Sequence, residues 1–264
     1  EDLPVVLCGA AGAGVMAAVG AGLAWIARAA VIAGEWSGGW SSSLGDVLGT
    51  SFGTAVWLRL AGGAALALGA WRLARSDRYQ RPGPAYAGSA LSALGALGLM
   101  GAYLFDGHTV VKGNRIVTAV ADMVHVGAAA VWLGGVAMLA VVLWHRVRQD
   151  RPLSVVELGL RFSVVATAAL VVVGLAGVAL AVIVLDDLSD LFSTDWGRIL
   201  VAKVALVLVA AVGGAYNHRV AVPQLAATPD DVDLLARFRK VVTFEAVALV
   251  GVIVATALLM GAEV

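Results

Sequence analysis

Apolar residues in this chain come in long runs, broken by short polar connections, and they lack the strict alternation of strands. About 20 apolar residues carry a helix across the hydrocarbon core of a bilayer. Seven stretches reach that length: residues 4–33, 54–74, 85–105, 116–144, 161–185, 199–216 and 241–260. They are rich in Ala, Val, Leu and Gly, which predicts an all-α polytopic membrane bundle of about seven transmembrane helices rather than a barrel. The pairs Gly62-Gly63, Gly134-Gly135 and Gly213-Gly214 predict places where helices approach closely. No repeat of 20–50 residues, low-complexity linker or soluble segment interrupts the pattern, so residues 1–264 read as one membrane domain. The longest connection, 218–240, reads as a loop with a short amphipathic helix after Thr228-Pro229. Trp36, Trp40, Trp57, Trp71, Trp144 and Trp196 fall near span ends and read as interfacial anchors.

Composition sharpens this picture. The chain is 61% hydrophobic and 14% charged, against about 25% charged for a soluble domain. Its formal net charge is zero, so no bulk electrostatic argument points to nucleic acid. The single cysteine, Cys8, excludes an internal disulfide and a Cys-rich metal cluster, and reads as an apolar filler. The N-terminus starts acidic and lacks the basic region of a secretory signal.

Charge also orients the spans. Arg72, Arg75, Arg78 and Arg81 flank the second connection, Arg146, Arg148, Arg151 and Arg161 the fourth, and Arg219, Arg237, Arg239 and Lys240 the sixth. The odd-numbered connections carry only Lys112, Arg115 and Arg198, and the fifth is acidic. The positive-inside rule then puts the N-terminus in the cytoplasm and the C-terminus outside. His145 and His218 lie among arginines at cytoplasmic helix ends and read as interfacial.

Ionisable residues inside spans are functional candidates, because each is expensive there unless paired. They are Arg28, Arg59, Asp122, His125, Lys203 and Glu245. In the orientation above all but Glu245 lie in the outer half of the membrane. In the fourth span Arg115, Thr118, Asp122, His125, Ala129 and Trp132 follow steps of three and four and share one helix face. Neutral imidazole is a common copper ligand, and a carboxylate completes or orients such a site. His108 stands in the outer loop before this span, and Met100 and Met123 are soft donors on the same side. The candidate metal set is therefore His108, His125, Asp122, Met100 and Met123. Arg28, Arg59, Arg115, Lys203, Trp132, Asn217 and Glu245 form a candidate polar network around and below it. By spacing alone, two readings stay open: a metal site, or a buried ion network in which Asp122 neutralises Arg28, Arg59 or Lys203. Trp132 either walls the site or packs.

The stretch "GHTVVKGNRIVTAVADMVHVGAAAVWLGGVAML" resembles the signature region of the copper resistance protein D (CopD) family of bacterial inner-membrane proteins: Gly-His, a short loop, then an Asp-x-x-His helix ending in Trp-x-Gly-Gly. Three further stretches are similar to that family. They are the Thr50-Ser51-Phe52-Gly53 turn followed by a helix with Arg59, the "WGRILVAKVALVLVAAVGGAYNH" helix with Lys203 and Asn217, and the last helix "FRKVVTFEAVALVGVIVATALL" with Glu245. The resemblance implies copper transport or uptake across the inner membrane, with copper ion (Cu(I) or Cu(II)) as the bound species and a periplasmic copper-binding protein as a possible partner. A fused domain of this kind is not expected, and the partner is expected to be separate. Members often have eight spans, and "EDLP" looks like the end of a loop, so a preceding helix is expected to be missing.

The leading expectation is a copper-handling membrane protein, not an enzyme, with His108 and His125 receiving copper at the outer face. The absence of a P-loop argues against ATP-driven pumping. Two alternatives remain. One is a copper-binding assembly or scaffold factor for a copper oxidase that transports nothing. The other is a b-type haem protein, which needs facing axial histidines.

Overall fold

The structure, a computed structural model of the chain, describes residues 2–34, 40–76, 82–105, 114–149, 155–185, 187–228 and 231–261. Every regular element among them is helical, and seven of the helices are long and apolar enough to cross a membrane. The protein is a multi-pass membrane protein, as the apolar runs predict. It divides into two compact units, Glu1–Met123 and Val124–Val264.

The first unit contains α1 (Leu3–Ala33), α2 (Trp40–Leu48), α3 (Ser51–Arg75), α4 (Pro82–Gly101), a 3₁₀ turn (Ala102–Leu104) and the start of α5 (Arg115–Arg148). α1 stops at Gly34, whose φ of 69° suits glycine and turns its N–H back to the Ala30 and Val31 carbonyls. α3 is the central helix, packed on α1 and α4. Glycines make both contacts. A Cβ built on Gly63 meets Gly14 O at 2.5 Å, and one on Gly62 meets Gly95 O at 2.8 Å. Lipid tails are as apolar as leucine, so helices in a bilayer associate through such close backbone approach rather than through the hydrophobic effect. The outer faces stay apolar: Val15, Met16, Val19 and Leu23 on α1 are exposed, as is Cys8.

The second unit contains the rest of α5, α6 (Val155–Val184), the one-turn α7 (Asp190–Ser193), α8 (Asp195–Tyr216), a π-helical turn (Asn217–Ala221), α9 (Val222–Ala227) and α10 (Val232–Gly261). α5 begins beside Asn114, whose Oδ1 accepts from the N–H groups of Ile116 and Val117 at 3.0 and 3.4 Å. With 34 residues, α5 is about 51 Å long at 1.5 Å per residue. That exceeds a hydrocarbon core of about 30 Å. The guanidinium of Arg148 stacks over Trp144 at 4.1 Å and that of Arg75 over Trp71 at 4.4 Å, so these exposed tryptophans do sit at basic helix ends.

Three expectations change. Residues 218–240 are not a loop with one short helix. The sixth span continues through the π turn and α9 to Ala227, and α10 starts at Val232, nine residues before the predicted span. The reason is an apolar stripe within this basic stretch: Ala221, Val222, Leu225, Leu234 and Phe238 are buried with Val242 and with Leu143 of α5. Trp196 is not an interfacial anchor. It is 3% exposed, packed with Val184 and Leu259. The glycine pairs also differ in use. Only Gly62-Gly63 is a helix–helix contact on both sides. Gly135 faces the Phe162 ring, Gly134 faces open space, and Gly213-Gly214 face the side chain of Glu245.

Candidate functional site

Two polar positions stand in the second unit. The first is built on α5, α6 and α8. His125 of α5 points at α6, where its Nδ1 lies 3.0 Å from the Val173 carbonyl oxygen. A carbonyl only accepts, so Nδ1 carries the proton and donates. In the neutral ring this leaves Nε2 with its lone pair. The approach depends on Gly177, one turn beyond Val173, since a Cβ there would lie 3.1 Å from His125 Cε1 and 3.3 Å from Nδ1. Lys203 of α8 is half-buried, and its charge acts on His125. Asp122, three residues before His125 in the sequence, is half-buried and belongs to the first unit.

The second position is built on α8, the π turn and α10. Asn217 Nδ2 donates to Glu245 Oε1 at 3.0 Å, with both residues 6% exposed. The π turn sets this geometry. Pro223 has no N–H to give to the Arg219 carbonyl, and its ring would crowd that carbonyl in a regular helix. A wider turn relieves the conflict and rotates the residues within it. Asn217 thereby faces α10, while the neighbouring His218 reaches α6, its Nδ1 lying 2.6 Å from Ser163 Oγ. Fourteen residues separate Lys203 from Asn217, about 21 Å along the helix. Between the two positions Trp132, Val136, Ala169, Ala210, Ala248, Leu249 and Val252 form an apolar layer. Trp132, 5% exposed, is a member of that layer.

In the first unit Arg28 and Arg59 rest on aromatic rings. Arg28 is 6.0 Å from the Phe52 centroid and Arg59 5.3 Å from that of Tyr103. Met100 of α4 and Met123 of α5 are half-buried. His108 and the side chain of Arg115 lie outside the described residues. Among the described residues no three His, Cys, Asp or Glu side chains converge into a metal-ligating group. Of the sequence-predicted set, the structure thus brings Asn217 to Glu245 and Lys203 within electrostatic reach of His125.

Sequence reasoning missed Val173, Gly177 and Ser163, which carry no pattern of their own. It also took the Thr50–Gly53 turn only as a point of resemblance and missed that the same cap recurs at Thr194. Thr194 caps α8, accepting from Gly197 N–H at 3.0 Å, and Thr50 caps α3, accepting from Gly53 N–H at 3.2 Å. In each case a short helix precedes the cap, and the glycine lets the first turn lie against it: Gly53 on Leu48, Gly197 on Asp190 and Leu191. Lys203 and Arg59 each follow their capping threonine by the same nine residues. One Thr-x-x-Gly cap thus fixes the position of one membrane cation in each unit.

Residues 156–259, running from α6 to α10, match the family described as Copper resistance protein D. The match takes in Val173, Gly177, Lys203, Asn217 and Glu245 and stops short of Asp122 and His125. A curated relative, the copper transport protein CutJ of Bacillus subtilis (strain 168), is 31% identical over 120 residues, which are 46% of this chain and 22% of CutJ. The chain therefore spans about a fifth of the length of that relative. No solved structure matches the chain. Over α6 to α10, then, the chain is similar to the copper resistance protein D (CopD) family.

Proposed function

We propose that this protein handles copper in a bacterial inner membrane, binding it in the outer leaflet and passing it inward. His125 is the central ligand, His108 its partner from the preceding loop, and Asp122 the charge that favours a cation. Met100 and Met123 are weaker donors. The observation that carries this reading is the bond from His125 Nδ1 to Val173 O. A ligating histidine characteristically donates its other ring N–H to a carbonyl or carboxylate, which fixes the tautomer and aims the free nitrogen. The family match and the name of the relative support copper as the cargo. Lys203 works against a cation at His125. The basic even-numbered connections support a cytoplasmic N-terminus. A periplasmic copper-binding protein would deliver the metal.

The test is copper analysis of the purified, reconstituted protein after Cu(I) or Cu(II) loading. Wild type is expected to hold near-stoichiometric copper, with His108→Ala, His125→Ala and Gly177→Leu losing it. The last variant pushes the ring off Val173. Gly174→Leu is the control, because Gly174 faces open space on the same helix. Wild type without copper, or His125→Ala binding as well as wild type, refutes the site. Uptake by copper-binding vesicles then separates transport from a scaffold role, since a scaffold binds metal and passes none.

A further inference from the structure

The Glu245 position has features that copper binding at His125 does not use. Its carboxyl lies in the middle of α10 and has one hydrogen bond, from Asn217 Nδ2. No cation pairs with it among the described residues. The elements around it are apolar or neutral. α8 presents the bare backbone of Gly213 and Gly214, where added Cβ atoms would lie 3.2 Å from Oε1 and 3.6 Å from Oε2. α10 itself places Val242 one turn before and Ala248 and Leu249 one turn after, each in an apolar cluster. α5 contributes Val136, Leu139 and Ala140 to the same two clusters, and α6 contributes Phe162. α9 adds Val222 and Leu225. The titratable neighbour on the π turn, His218, is turned to Ser163. Arg219 and Lys240 are exposed, while Arg239, partly buried, lies six residues before Glu245, off its helix face. The carboxyl thus lies between two apolar layers, on a residue 6% exposed.

A carboxylate in such surroundings carries a desolvation penalty of several kcal/mol, and one neutral amide N–H does not offset it. The second observation concerns Asn217. Its Oδ1 is buried and has no hydrogen-bond donor, a rare condition in a folded protein. A carboxylic acid and a primary amide are complementary at both ends. The amide N–H donates to the acid's carbonyl oxygen, and the acid O–H donates to the amide oxygen. The first of these bonds is present at 3.0 Å. The second would form when a proton on Oε2 is turned to Oδ1. That proton removes the buried charge and supplies the donor that Oδ1 lacks.

We infer that Glu245 is a proton-binding site, closed as an acid–amide pair with Asn217 at the π turn between α8 and α9. The proton comes from water and returns to it, with no other bond made or broken. When it leaves, the carboxylate faces an amide oxygen and two glycines, and the pair opens toward whatever cation or water replaces the proton. The site is a two-state element held by the widened turn. The inference stands independently of the copper reading.

Infrared spectra of the metal-free, full-length protein in lipid at neutral pH, in H₂O and D₂O, test it. Wild type is expected to show a protonated-carboxyl C=O band that shifts down on deuteration and is missing in Glu245→Gln. In Asn217→Leu that band moves up, because its C=O loses the amide donor. Glutamine imitates the neutral acid, so Glu245→Gln is expected to unfold at or above the wild-type temperature. Superimposable wild-type and Glu245→Gln spectra in the carboxylic-acid region overturn the inference. A loss of several degrees in the unfolding temperature of Glu245→Gln does so as well, since it marks an ionised group whose charge the fold needs. Copper loading enters neither measurement, so failure of the copper site leaves this test intact.

Discussion

Replacing Gly63 by alanine puts one methyl group where α3 meets α1. The new Cβ falls 2.5 Å from Gly14 O and 2.9 Å from Ala18 N, where ordinary contact begins at 3.4 Å. Both neighbours are backbone atoms of a regular helix and cannot swing aside, so α1 as a whole has to move by several tenths of an ångström. Overpacking of this kind is destabilising by about 1–3 kcal/mol. Removing a glycine from a helix interior works the other way, by about 1 kcal/mol. Gly22→Ala on α1 isolates that second effect, because nothing lies within 4 Å of the added Cβ. The two variants should therefore differ by about 1–3 kcal/mol, at roughly 2–4 °C of unfolding temperature per kcal/mol. Thermal unfolding in one detergent reads the gap directly. Gly14→Ala probes the same contact from the other side, its Cβ meeting Gly63 O at 2.6 Å. The double variant should lose less than the sum of the singles, because the first methyl has already parted the helices. If Gly63→Ala unfolds no earlier than Gly22→Ala, or if the two contact variants add fully, the glycine seam does not hold these helices together.

Two further expectations concern helix ends and pH. Thr50→Val and Thr194→Val each remove the acceptor for a glycine N–H and should destabilise by about 0.5–2 kcal/mol. The serine variants keep the oxygen and should lose little, and serine as harmful as valine in denaturant titration refutes the capping account. Asp187, in the connection after α6, accepts from the Ser189 N–H at 2.8 Å. This backbone bond, and then the Ser189 hydroxyl, hold its carboxyl below the usual aspartate range. A lowered carboxyl stabilises the connection above the ordinary range, and the contribution is lost as pH falls through the lowered value. NMR titration of the Asp187 carboxyl should show that low midpoint, and Ser189→Ala, which keeps the N–H, should move it only part of the way back. A midpoint at the free-aspartate value refutes the bond.

Much of the architecture was legible because a bilayer imposes a severe rule. Backbone groups have no water to bond to, so each apolar run of sufficient length becomes a helix whatever its local propensity. The seven spans follow from this. Their ends do not, since beyond the apolar core the decision passes to packing. Leu234 and Phe238 lie in a basic stretch that reads as loop, and only the cluster with Leu143 and Val222 shows why it is helical. Gly213-Gly214 and Gly62-Gly63 look alike in sequence, because a missing side chain makes room equally for a helix backbone or for a carboxyl. Trp196 near a span end looks like Trp144, and burial against Val184 and Leu259 tells them apart.

The sequence by itself determined which residues had to be accounted for. Asp122, His125, Lys203, Asn217 and Glu245 are conspicuous because polar groups in lipid are costly, and that cost depends only on residue type and span. Tertiary structure alone decided which of them meet. Asn217 and Glu245 are 28 residues apart and on different helices, and Pro223 and the π turn aim one at the other. The His125 tautomer depends on a carbonyl 48 residues away and on a glycine that leaves the ring space. Such pairings are set by helix rotation and register, which are properties of packed neighbours rather than of any one segment.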